Sequence, residues 1–222
     1  SVSEESKPTT SSCPALYDLT TLQREANSRF GFSAKTTLSI AQALYEKHKV
    51  LTYPRTDSRA LPEDYVAVVK NTFEMISRED LPGPLRPLAA HAKLALKDGY
   101  VKPLKRVFDN AKVSDHFAII PTLLPPKSLS EIEAKLYDLV VKRFLAVFYP
   151  PAEFLVTTRI STVDAAGKQH KFQTNGKVLV KPGWLAVYGK EAQEDDANLV
   201  AVAPGELVRT ASVDVVALKT KP

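Results

Sequence analysis

Apolar residues recur at helical spacing up to Pro150-Pro151, and alternate with polar ones beyond it. Residues 1–14 are polar and aperiodic, and read as a loop or loose end. From Thr20 to Phe30, Leu22, Ala26 and Phe30 share a face. Thr20 and Gln23 make a capping-box pattern there, and Gly31 stands at the C-cap position. Ser33 opens a second helix through Leu38, Ala41 and Leu44 that frays near His48. Val50, Leu51 and Thr52 then form a short β-like run closed by Pro54, which biases Tyr53 away from helical geometry.

Pro62 starts a third helix to about Ile76, and the segment 81–84 is a turn. A fourth helix covers 85–97, with Pro87 in its first turn. Residues 99–115 are irregular, and a long helix runs from Ser130 to Phe148. Strands are predicted over 154–163, 171–180 and 207–216, punctuated by Gly167 and Gly176, with a polar acidic loop over 189–198. Helices first and strands afterwards predict an α+β chain. Its parts are a loose segment over 1–16, a helical domain over 17–152 and an antiparallel β segment over 153–222.

The 222 residues are 44% hydrophobic, which excludes wholesale disorder. Cys13 stands alone, so an internal disulfide and a cysteine-based zinc site are excluded, as suits a reducing cytosol. No apolar run is long enough to span a membrane, and the N-terminal residues lack a signal-peptide core. A net charge of +5 favours a polyanionic partner.

The chemistry concentrates in Leu51-Thr52-Tyr53-Pro54-Arg55-Thr56-Asp57-Ser58. A phenol is a poor nucleophile at its free pKa of ~10 and needs a neighbouring base or positive charge. In an extended backbone Arg55 lies on the same side as Tyr53, where its fork can bind a phosphate. Spacing alone also fits a plain loop with an Arg55-Asp57 surface ion pair. In Ser114-Asp115-His116-Phe117-Ala118-Ile119-Ile120-Pro121-Thr122, His116 is either a phosphate or proton ligand or a half-buried structural histidine.

Together, Thr52 to Ser58 and Asp115 to Thr122 resemble the tyrosine and downstream histidine motifs of type IA DNA topoisomerases. Leu19 to Ala26 resembles the helix opening that family's tyrosine-bearing domain, and Ala41 to Glu46 the helix leading into the tyrosine. Arg143 to Pro150 and Pro182-Gly183-Trp184 are similar to later family segments, in the same order. Pro54 and the Ile-Ile-Pro-Thr ending resemble the topoisomerase III branch. Phe117 departs from relatives with Glu or His there, and His48-Lys49 makes the approach to Tyr53 one residue longer than in the topoisomerase I branch.

The resemblance implies that Tyr53 attacks one DNA strand and becomes linked to its 5′ phosphate, with no ATP required. Arg55 assists cleavage and His116 contacts phosphate. Lys35, Gln42, Tyr45, Glu46, Thr56, Asp57, Ser58, Arg59 and Ser114 are expected along a single-strand groove; Lys102, Lys105 and Arg106 are further candidate phosphate contacts. Mg²⁺ belongs to an acidic N-terminal domain of the Toprim type, which this chain does not contain, and Asp195-Asp196 reads as a solvated pair. The chain is therefore expected to be a central piece, inactive alone: the tyrosine-bearing domain plus part of a β arch, to which residues 1–16 contribute a strand end. Its partners are single-stranded DNA and the enzyme's other domains, in the nucleoid-bearing cytoplasm. The competing expectations are a tyrosine recombinase, disfavoured because Tyr53 precedes His116, and a non-catalytic single-stranded DNA-binding module.

Overall fold

A computed structural model describes residues 1–81, 83–192, 199, 200, 202, 209, 212, 214, 216 and 217. They fall into two units. One is built on Ser1–Thr9 and Phe154–Leu179, the other on Thr10–Glu153 and the segment from Val180. The predicted strand over 207–216 and the Asp195-Asp196 pair lie outside the described residues.

The larger unit is helical: α1 Leu19–Phe30, α2 Ala34–Glu46, α3 Val66–Ile76, α4 Ala89–Lys97 and α5 Glu131–Ala146. The cap of α1 is Asp18, not Thr20. The Asp18 carboxylate accepts from Thr21 N at 2.7 Å, and the Thr21 hydroxyl returns the box, so Thr20 is left exposed. Gln23 instead donates to Ala34 O at 3.0 Å. Gly31 ends α1 in the left-handed region at φ 70°, and Ser33 caps α2. Both proline-led helices begin as 3₁₀ turns, Glu63–Tyr65 after Pro62 and Gly83–Leu88 around Pro87. A proline lacks the N–H that an α-helical turn needs, so α4 starts only at Ala89. The Ser130–Glu133 capping box starts α5.

Helix α5 is buried on nearly every side from Leu136 to Ala146, so it forms the middle of the core. α1 and α2 pack on it, and its Phe144 meets Phe73, which with Phe108 packs on Phe148 just past the helix end. After α5 the chain turns at Pro150-Pro151 and meets Gly183 closely. A Cβ at Gly183 would stand 2.3 Å from Pro151 O, so only glycine fits that position. Residues 183–192 are 3₁₀ turns, and their last part, 189–192, is where the polar loop was expected to begin.

The smaller unit is a three-stranded sheet of order β1-β2-β3: β1 Val2–Ser11, β2 Ala152–Ala165 and β3 Lys168–Lys181. Residues 2–11, read from their pattern as loop and from the resemblance as a strand end, form a strand. β1 is antiparallel to β2: Ser1 pairs with Thr162, and the Ser6 hydroxyl meets Thr157 at 2.8 Å. β2 and β3 form a hairpin through Ala166 and Gly167, at φ 49° and 74°, the paired positive values of a type I′ turn.

Candidate active site

Three segments of the helical unit meet around Tyr53. The first is α2, whose Gln42 and Tyr45 share one face. The second is the run after it. Thr52 N donates to Ile120 O and Thr122 N to Val50 O, both at 3.0 Å, around an antiparallel Leu51–Pro121 bridge. The third segment therefore carries His116. The Thr52 hydroxyl locks the pairing, donating to Ala118 O and accepting from Ile120 N, both at 3.0 Å.

This bracing sets the tyrosine among aromatic rings. Tyr53 and His116 have ring centroids 4.3 Å apart at 42°, and Tyr45 meets Tyr53 edge-on at 5.4 Å. Lys49 stands over the Tyr45 ring at 5.9 Å. Tyr53 is half-buried and His116 exposed, so the cluster is open to a ligand. With the Gln42 amide oxygen turned toward it, the Arg55 guanidinium donates from Nε and Nη2 at 3.3 Å. That contact holds Arg55 beside the tyrosine with further N–H donors available.

The sequence-predicted residues divide clearly. Tyr53, Arg55, His116, Gln42 and Tyr45 come together. Glu46 ends α2 and Ser114 lies in the exposed bend with His116. Lys35 sits in the first turn of α2, about 15 Å along the axis from Tyr45, and is not part of the cluster. Asp57 and Arg59 point outward, and Arg59 pairs with Asp18 at 3.4 Å.

Thr56 and Ser58 are buried, 7% and 5% exposed, with their hydroxyls used within the fold. Thr56 donates to His116 O at 3.1 Å and Ser58 to Lys112 O at 2.7 Å. They brace the loop, and neither presents its hydroxyl to a ligand. Arg106 donates to the carbonyls of Cys13 and Val147, and Lys105 pairs with Glu63 and Asp109, so both are spent on the fold. Phe117 packs on Tyr65 at 4.8 Å. Sequence reasoning missed Thr52 as the brace; its place in a β-like run opposite the histidine segment was the available signal.

Behind the loop lies a buried polar cluster. Glu25 accepts from the Tyr17 hydroxyl and Arg143 Nη2, both at 2.5 Å, and from Arg29 at 3.0 Å. Arg143 also donates to Ala15 O at 2.9 Å and to the Tyr188 hydroxyl at 3.2 Å. Burial pushes the Tyr188 phenol up to about 12 and raises that of Tyr17 further. Among the described residues no three His, Cys, Asp or Glu side chains converge as a metal site, and no helix is long and apolar enough to cross a membrane.

A family model for DNA topoisomerase matches residues 1–222. The chain is 44% identical over 216 residues to a DNA topoisomerase 3 of Bacillus licheniformis, covering 94% of this chain and 28% of that protein. It is 43% identical over 217 residues to the DNA topoisomerase 3 of Bacillus subtilis, with the same coverage. The chain thus spans about a quarter of the length of these curated relatives. In fold it matches full-length topoisomerase I of Thermotoga maritima with a TM-score of 0.61, at 24% identity, over 92% of this chain and 31% of that one.

Proposed function

Because the chain belongs to the type IA DNA topoisomerases, in the topoisomerase III-like branch, we propose that it is the part that supplies the nucleophile Tyr53. The observation that carries this reading is the half-buried Tyr53 ring stacked on His116, with Arg55 anchored to Gln42 beside it. The phenolic oxygen attacks a phosphodiester phosphorus of one DNA strand. A tyrosine–phosphorus bond forms, the bond to the 3′ oxygen breaks, and the phenolic proton is transferred to that oxygen. Arg55 balances charge on the non-bridging oxygens, and His116 is placed to donate to one of them. One phosphoester replaces another, so the 3′ hydroxyl reverses the step after strand passage without ATP.

The acidic residues that would hold Mg²⁺ are not gathered among the described residues of this chain, so no step here is assigned to the ion. On this reading, and because the chain spans about a quarter of the length of its curated relatives, activity calls for the remaining domains, with single-stranded DNA as substrate and the nucleoid as the setting. Tyr53→Phe in the full-length enzyme tests the reading. It should abolish covalent capture of labelled DNA and leave single-strand affinity within a factor of two. Lost binding, with no adduct from the unsubstituted enzyme, would favour a non-catalytic binding module instead.

A further inference from the structure

Beside the loop that follows Tyr53, the helical unit carries an open pocket of about 400 Å³. Its wall is the face of α1 bearing Thr21, Arg24, Glu25 and Ser28, joined by Arg59 from the loop and Arg143 from α5. The charges there are unequally committed. The Glu25 carboxylate is saturated by Tyr17, Arg143 and Arg29, and Arg143 is consumed in that cluster. Arg24 is exposed and has no ion pair or hydrogen bond among the described residues. Among the described residues Arg59 makes only the 3.4 Å contact of its Nε with Asp18. Two guanidiniums with unused paired donors at one pocket suit an anion with paired oxygens, a phosphate group.

The path to the tyrosine is short. From Arg55 to Ala60 the side chains alternate outward and inward, with Arg55, Asp57 and Arg59 exposed and Thr56, Ser58 and Ala60 buried. That is the pattern of an extended chain, so Arg55 and Arg59 leave the same side, at most about 14 Å apart at Cα. A single strand whose scissile phosphate lies at Arg55 reaches Arg59 and Arg24 within a few nucleotides. Asp57 repels phosphate between them, which confines the contacts to the two ends.

We propose that this pocket is a second phosphodiester-binding subsite for the strand cleaved at Tyr53. It rests on the functional reading above and adds a residue, Arg24, that the tyrosine chemistry does not use. The test is fluorescence anisotropy of this chain with two labelled oligothymidylates, a short one and one several nucleotides longer, titrated with salt. Arg24→Gln should weaken the longer oligonucleotide severalfold, leave the short one unchanged, and lower the salt slope by about 0.7, the value for one single-strand phosphate contact. Adding Arg59→Gln should deepen the effect, and Arg24→Lys should restore most of the slope. Because Arg24 has no described partner in the fold, the unfolding midpoint of Arg24→Gln should match the unsubstituted chain. If the chain binds both oligonucleotides but Arg24→Gln leaves affinity and slope unchanged, or weakens both equally, the subsite is refuted while the tyrosine reading stands. If the unsubstituted chain binds neither at low salt, the subsite is refuted, and the tyrosine reading is decided by covalent capture in the full-length enzyme.

Discussion

Replacing Thr52 by valine tests the brace that positions the tyrosine. Valine keeps the shape and removes only the hydroxyl, so no cavity confuses the result. Two bonds go, to Ala118 O and from Ile120 N, each 3.0 Å in the structure. Ala118 and Ile120 are buried, 0% and 1% exposed, so water reaches the orphaned groups poorly. A bond whose groups can be rehydrated is worth about 1 kcal/mol, and a buried group left unpaired costs about 1–3 kcal/mol. Thr52 itself is half-buried, which places the total near 2–4 kcal/mol.

A domain with about 5–15 kcal/mol of stability stays folded through that loss, so urea unfolding can measure it. Thr52→Ser keeps the hydroxyl and gives up one methyl group, costing about 0.8 kcal/mol. In the full-length enzyme Thr52→Val should slow formation of the covalent adduct and leave DNA affinity nearly unchanged, since Thr52 acts only by holding the Tyr53 and His116 segments together. Loss of less than about 0.5 kcal/mol for the valine variant, or an equal loss for serine, would refute the argument.

Arg143→Met should cost about 3–5 kcal/mol in urea unfolding, because it takes the buried guanidinium from the Glu25 carboxylate and leaves it only Tyr17 and Arg29 among the described residues; adding Glu25→Leu should recover at least half, and simple additivity would contradict the coupling. The Tyr137 hydroxyl is buried with no hydrogen-bond partner among the described residues, so Tyr137→Phe should match or exceed the parent stability, and a loss above about 1 kcal/mol would show a bond unseen here. Burial pushes the Cys13 thiol up to about 12, so iodoacetamide at pH 8 should label it only as fast as the chain unfolds; rapid labelling of the folded chain would contradict its burial. Burial lowers the His91 pKa, so the unfolded chain binds that proton more tightly. Stability is full above the unfolded pKa of about 6.5 and falls as pH drops below it; His91→Gln should flatten that acid limb, and an unchanged pH profile would refute the assignment.

Helix boundaries were legible where one residue type has one job. Gly31 carries the same C-cap role in the structure as in the sequence, and Ser33 and Ser130 open their helices where the sequence places them. The cap of α1 was placed two residues late, at Thr20, because only the three-residue reach back from Thr21 marks Asp18 as the capping residue. β1 was illegible because its residues are almost all exposed and polar, leaving no alternation to read; its strand state comes from backbone pairing with β2. In the site, the rings and Arg55 were legible from residue type. The hydroxyls were not, since Thr56 and Ser58 look as available as Asp57 until the extended loop shows which side faces the core.

Tyr53 follows α2 by way of a turn that the fold holds in place. A helix continued straight past Glu46 would not deliver the chain to the Leu51–Pro121 bridge. Lys49 takes a left-handed turn instead, φ 58°, which costs a non-glycine residue about 1–2 kcal/mol. Three contacts hold it there: Thr122 Oγ1 donates to Lys49 O at 2.7 Å, Val50 N returns to Leu44 O at 2.9 Å, and His48 pairs with Glu133 of α5 at 3.1 Å. The turn is thus completed before Val50, and the Leu51–Pro121 bridge leaves the tyrosine one step beyond Thr52. The strained residue sits upstream of the bridged run, where the contacts to Thr122, Leu44 and Glu133 hold it.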